Sequence, residues 1–184
     1  MSPEPFLGDV EHSPVRHHIL SVLVENKAGV LARVAGLFAR RGFNIYSLVV
    51  APAESHERFS RITIVVDAET APLEQVLGQL HKLVNVVDIG DISPEDAVER
   101  ELLLATIATD VDNRTTLLDV IGAANASIID VDARHVTVVL AATPAGCDAF
   151  ERALEAHPGV ELHRTGRVAV PRLGVPTHEP AESR

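Results

Sequence analysis

Tryptophan is absent from this 184-residue chain, and tyrosine, methionine and cysteine occur once each. A single cysteine excludes an intrachain disulfide and any zinc site built on paired thiolates. Aromatic residues make up only 3% of the sequence, so the core must be built from Val, Leu, Ile and Ala, which help raise the hydrophobic share to 46%. Basic residues are in the minority, 16 against 26 acidic ones, for a formal net charge of −10. That balance argues against a nucleic-acid or anionic-membrane partner. No apolar run approaches the roughly 18 residues of a spanning helix. The start, Met1-Ser2-Pro3-Glu4-Pro5, has neither the basic region nor the apolar run of a secretory leader. These readings predict a soluble cytoplasmic protein.

What is present is a periodic pattern that occurs twice. Residues 1–16, with Pro3, Pro5, Gly8 and Pro14, read as a flexible arm. His17 to Val24 is an apolar strand. A helix follows from about Val30 to Arg41, with Val30, Leu31, Val34, Leu37 and Phe38 on one stripe. Gly42 stands where a left-handed C-terminal cap belongs. Asn44 to Val50 is a second strand, stopped by Pro52, and Ala53 to Arg58 is a charged loop. Phe59 to Val66 is a third strand. Pro72 opens a second helix with its stripe at Leu73, Val76, Leu77, Leu80 and Leu83, and Asn85 to Ile92 is the fourth strand. The order βαββαβ over residues 17–92 predicts a four-stranded antiparallel sheet with both helices on one face.

Ser93 to Arg100 is polar and acidic and reads as a linker. The order then recurs over residues 101–170. Glu101 to Ala108 is a strand, and a helix from about Arg114 to Ala124 carries Leu117, Leu118 and Ile121. Ser127 to Val131 and His135 to Ala142 form a hairpin around Asp132-Ala133-Arg134. Thr143-Pro144 caps a last helix that buries Cys147, Phe150 and Leu154, and Val160 to Val170 is the final strand. Residues 171–184, with three prolines, read as a disordered tail. The predicted class is α+β, with two tandem ferredoxin-like domains.

Chemistry concentrates at one turn. Asn26 and Gly29 lie where the first strand passes into the first helix. The N–H groups of a helix N-terminus and its dipole favour an anion, and a residue without Cβ lets that anion approach the backbone. Asn26 can donate and accept hydrogen bonds. A small carboxylate fits there, although Asn and Gly are also ordinary turn residues. The second strand, apolar on both faces, falls on a sheet edge in this topology. It invites a two-fold pairing with a second copy, which would bring Asn44 towards the partner's Asn26/Gly29 turn. Arg33, Arg40 and Arg41 read as a solvated helix face. His17 and His18 are adjacent on a strand and point to opposite faces, so no metal site is read there. Cys147 on an apolar stripe reads as a buried thiol. No catalytic constellation and no phosphate-binding loop is visible.

The stretch Glu25-Asn26-x-x-Gly29-Val30-Leu31-x-Arg33-Val34-x-x-Leu37-Phe38-x-Arg40-Arg41-Gly42-Phe43-Asn44-Ile45-x-Ser47-Leu48-x-Val50 resembles the opening of the regulatory (small) subunit family of acetolactate synthase. Ser60-Arg61-x-Thr63-Ile64-Val65-Val66 and Gln79-Leu80-x-Lys82-Leu83-Val84-Asn85-Val86 resemble later parts of the same domain. Arg100-Glu101-Leu102-x-Leu104, Ile129-Asp130-Val131 and Thr165-Gly166-x-Val168-Ala169 resemble the second domain. Tyr46 departs from a common Glu, Thr106 from a frequent Lys, and Ala28 and Ala53 depart as well.

The resemblance implies that residues 17–92 are an ACT domain whose homodimer binds valine or a related branched-chain amino acid. Backbone groups of Gly29, Val30 and Leu31 would receive the carboxylate. Asn26 would hold the polar end, and Asn44 and Ile45 of the partner chain would close the site. The chain itself would be non-catalytic. It would activate, and make valine-sensitive, a large catalytic subunit that carries thiamine diphosphate, Mg²⁺ and FAD, with residues 101–170 contacting that subunit. Two other readings compete. A freestanding amino-acid sensor acting on another enzyme has the same site. An RNA-binding module shares the βαββαβ order but needs aromatic platforms, and the third strand offers only Phe59.

Overall fold

The computed structural model describes residues 17–53, 58–67, 73–110 and 113–174. The N-terminal arm, the middle of the 53–58 loop, the Pro72 helix opener and the tail beyond Gly174 lie outside the described residues. The first unit contains β1 (His17–Glu25), α1 (Val30–Arg40), β2 (Ile45–Pro52), β3 (Phe59–Asp67), α2 (Leu73–Leu80) and β4 (Val86–Ile92). Its antiparallel sheet has the order β2-β3-β1-β4. The two-residue period of the strands puts Leu20, Val22 and Val24 on one face with Ile62, Ile64 and Val66. That face packs against Val30, Val34, Leu37 and Phe38 of α1 and against Val76 and Leu80 of α2. Fully burying a side chain of this size contributes about 1.5–3 kcal/mol. Gly42 closes α1 in the left-handed region (φ 74°), with the Phe43 N–H returning to the Phe38 carbonyl at 3.1 Å.

The second unit contains β5 (Ala97–Ala108), α3 (Arg114–Ala123), β6 (Ser127–Val131), β7 (His135–Ala142), α4 (Pro144–Leu154), β8 (Val160–Arg164) and β9 (Val168–Pro171). Its sheet runs β6-β7-β5-β8, with β9 on the first half of β5 as a fifth strand. Its core joins Leu103, Ala105 and Ile107 to Leu117, Ile121, Cys147, Phe150 and Leu154. The α4 cap forms as its sequence requires: the Gly146 N–H donates to Thr143 Oγ1 at 3.2 Å. In the hairpin, Asp132 Oδ1 accepts the N–H groups of Arg134 and His135, both at 2.6 Å. These bonds, the Arg134 one foremost, hold the Asp132 carboxyl below its ordinary range. The fold is two tandem ferredoxin-like units.

Several sequence expectations differ from the structure, among them Leu31, whose place on the apolar stripe of α1 predicts burial but which is exposed. The expected linker of residues 93–100 is a short 3-10 turn, Pro94–Asp96, followed directly by β5, because Ala97–Arg100 pair with β9. The expected single strand Val160–Val170 is broken into β8 and β9, with Gly166 between them in the left-handed region. Pro171 and Arg172, expected in a disordered tail, are ordered: Pro171 pairs with Ala97, and the Arg172 N–H donates to the Asp96 carbonyl at 2.6 Å. Leu118 is exposed, since Leu117 and Ile121, four residues apart, take the buried side of α3.

The far face of the first sheet is covered where the units meet. Ile19, Val65 and Ile92 pack there against Ala97, with Ala169 alongside. Ile19 and Val65 are fully buried although they point away from both helices.

Candidate functional site

The Asn26–Leu31 turn is held between the two strands that flank β1. The Asn26 N–H donates to the Arg58 carbonyl and the Glu25 N–H to the Asn85 carbonyl, both at 2.9 Å. The Lys27 N–H returns to the Glu25 carbonyl at 2.9 Å, which reverses the chain sharply. Gly29 then takes φ 84°, ψ −8°, a conformation that costs an L-residue about 1–2 kcal/mol, and α1 begins without a side-chain cap. A Cβ at Gly29 would meet nothing within 4 Å among the described residues, which leave the space in front of the turn open.

Of the three expected carboxylate donors, the Val30 N–H is turned back to the Lys27 carbonyl at 3.2 Å, and the Val30 side chain is in the core. The Gly29 and Leu31 N–H groups have no acceptor among the described residues. Leu31 is 42% exposed and presents an apolar wall beside them.

A polar network that was not assigned from the sequence flanks the turn. Asn85 Nδ2 donates to Glu25 Oε2 at 2.6 Å, Lys27 Nζ lies 3.0 Å from the same oxygen, and Arg33 donates to Asn85 Oδ1 at 2.9 Å. The hydrogen bonds from Asn85 and then Lys27 hold the Glu25 carboxyl below its ordinary range. Lys27 is paired with the carboxylate whereas Arg33 bonds only the neutral Asn85 amide, so a net positive charge remains beside the turn and favours a further anion. Arg33 is part of this network rather than of a bare solvated face. Glu25 and Asn85 both lie in the quoted motifs, but strand ends and helix ends reveal their pairing only after the sheet order is known.

Asn44 and Ile45 are elsewhere. Glu25 is paired with Phe59 at one end of β3, whereas Ile45 is paired with Val66 near the other. Seven residues of strand separate the two positions, about 24 Å at the usual rise. Tyr46 is the extra residue of a bulge between Ile45 and Ser47 on this edge strand. The His17 ring lies 4.5 Å from the Tyr46 ring. Among the described residues no group of His, Cys, Asp and Glu could hold a metal ion, and no helix is long and apolar enough to cross a membrane. Cys147 is buried, and burial raises its thiol pKa above the ordinary range.

The chain is 43% identical over 155 residues to the acetolactate synthase small subunit of Mycolicibacterium smegmatis, covering 84% of this chain and 91% of that protein. It belongs to the acetolactate synthase small-subunit family. The family description "AHAS small subunit-like ACT domain" matches residues 20–88, and "Small subunit of acetolactate synthase" matches residues 100–173. A probable acetolactate synthase small subunit of Archaeoglobus fulgidus is 41% identical over 155 residues, 84% of this chain and 96% of that one. The crystal structure of the acetolactate synthase small subunit from Thermotoga maritima superposes with a TM-score of 0.80 at 36% identity, covering 88% of this chain and all (100%) of that one. The first unit is thus an ACT domain, and the chain is a regulatory subunit in branched-chain amino acid biosynthesis.

Proposed function

We propose that two copies of this small subunit pair through β2 and bind valine, or another branched-chain amino acid, at two sites shared between the chains. The observation that carries this reading is the separation of the two half-sites. One chain holds Asn26, Gly29, Val30 and Leu31 at one end of its sheet and Asn44 and Ile45 at the other. An antiparallel pairing of two β2 edges sets the Ile45 end of one strand against the Pro52 end of its partner. Pro52 is paired with Ser60, at the same end of the sheet as Glu25 and its turn. A two-fold axis through the paired edges therefore brings Asn44 and Ile45 of each copy towards the Gly29 turn of the other.

In that site the ligand carboxylate takes the Gly29 and Leu31 N–H groups, helped by the dipole of α1 and the charges of Lys27 and Arg33. Asn26 and the partner's Asn44 hold the ammonium end. Leu31 and the partner's Ile45 line the aliphatic side chain. The subunit activates a large catalytic subunit that carries thiamine diphosphate, Mg²⁺ and FAD, and residues 101–170 supply the contact. Valine favours the arrangement of the dimer that the catalytic subunit does not. A ligand shifts such an equilibrium only by its differential affinity, and a coupling of about 1–3 kcal/mol corresponds to roughly 5–150-fold.

The test is acetolactate formation by the cognate catalytic subunit, alone, with this chain, and with valine added. Activation that valine reverses is the expected result. No activation, with an amino acid still bound in calorimetry, would move the ACT dimer to a different enzyme partner.

A further inference from the structure

Besides the apolar contact at Ile19, Val65 and Ile92, the second unit touches the edge strand β2, which begins at Ile45 next to Asn44. The Thr165–Arg167 turn, between β8 and β9, reaches across to it. The Arg167 N–H donates to Ser47 Oγ at 2.9 Å, and Ser47 is buried. The Arg167 guanidinium lies 4.9 Å from the centroid of the Tyr46 ring, within cation–π range. Gly166, in the left-handed region, is so close that a Cβ there would come within 2.4 Å of Ser47 Oγ. On its other side Arg167 is tied to β5: its guanidinium lies 3.3 Å from Glu99 Oε2 and 3.4 Å from Glu101 Oε1. One residue thus grips the bulge of the ACT edge strand with its backbone and ring contact and the first strand of the second domain with its charge.

We propose that Arg167 is a positioning residue that couples the effector site to the second domain. The inference rests on the shared-site reading above, in which Asn44 and Ile45 of one copy close the site on its partner. An effector that orders those residues orders the adjoining Tyr46 bulge. Through Arg167 it also orders the Glu99–Glu101 segment of β5. The coupling is reciprocal: contacts made by the second domain with a partner enzyme tighten or loosen the bulge and so change effector affinity.

The test is hydrogen exchange on the full-length chain, unmodified and as Arg167→Met and Ser47→Ala, with calorimetry of valine binding. Without ligand, the amides of residues 46–50 exchange roughly two- to tenfold faster in both variants, the loss of one hydrogen bond or ring contact. Unchanged exchange overturns the proposed grip. In the unmodified chain, saturating valine slows exchange at residues 44–50 and at residues 97–101. In the variants valine still binds and still slows residues 44–50, but the response at residues 97–101 is lost. A full response there in both variants overturns the coupling. If valine binds to none of the three proteins, the shared-site reading fails and the coupling falls with it, while the ligand-free comparison still decides whether Arg167 grips β2.

Discussion

Gly29 and Ile45 of one chain stand at opposite ends of one sheet, set there by the pairing of Glu25 with Phe59 and of Ile45 with Val66. In the proposed dimer each sheet end presents half of an amino-acid site.

Gly29→Asp abolishes valine inhibition and leaves activation of the catalytic subunit intact, because a carboxylate on a Cβ occupies the anion position. Gly29→Ala separates conformation from charge. It meets no described residue within 4 Å, so its cost is that of the left-handed backbone, about 1–2 kcal/mol. Inhibition assays and thermal unfolding read the two effects. Full valine sensitivity in the Asp variant would remove the turn from the site.

Val50 is 42% exposed on the β2 edge. Val50→Lys places a charge where the edges are proposed to meet, and lysine on an edge strand discourages pairing. Sedimentation equilibrium should find a dimer in the unmodified chain and at least roughly tenfold weaker association in the variant. A monomeric unmodified chain at micromolar concentration would contradict the pairing.

Glu101 is buried between Arg164 and Arg167. Burial acts to lower the Arg164 pKa, but hydrogen bonds to Asp148 and Glu101 outweigh it and hold the guanidinium more basic than usual. Glu101→Ala removes the buried carboxylate from both guanidiniums, but Arg164 keeps Asp148 and Glu151 and Arg167 keeps Glu99, so the chain should be destabilised by about 1.5–3 kcal/mol, with Glu101→Gln costing less. Denaturant unfolding measures both. A loss below about 1 kcal/mol for the Ala variant would show that these charges are solvated.

Asn85 and Lys27 lower the Glu25 carboxyl pKa in the folded chain. A carboxyl lowered on folding contributes stability that is present above its unfolded pKa and lost as pH falls through the folded value. The loss therefore lies on the acid side of the ordinary glutamate range. Asn85→Ala removes the largest cause, so the Glu25 titration followed by NMR should move up towards the ordinary value. An unmoved midpoint would show that the Asn85 contact does not set it.

The tandem βαββαβ order was legible because the strands alternate and the helices carry clean stripes, from Leu20-Val22-Val24 to Cys147-Phe150-Leu154. The Gly42 cap was legible because it needs a left-handed residue, and the Gly29 turn because Asn26 and Gly29 are turn residues between a strand and a helix. The junction was not. Ser93–Arg100 has the composition of a linker, and within it Ala97 is buried, against Ile19, Val65 and Ile92. A signal was present: Ile64-Val65-Val66 is apolar without alternation, the mark of a strand covered on both faces. The break at Gly166 and the grip of Arg167 on Ser47 depend on contacts more than a hundred residues apart in sequence, which no local pattern records. The Glu25–Asn85–Arg33 network was hidden for the same reason.

The shared site is tested most directly by mixing two broken chains. Gly29→Asp and Asn44→Ala, each as a homodimer, should fail to bind valine in calorimetry. A purified mixed dimer of the two has one site with both defects and one with none. One valine per mixed dimer, at the affinity of the unmodified protein, is expected. No binding by the mixed dimer would mean that Gly29 and Asn44 of the same chain serve the same site, and would contradict the shared site.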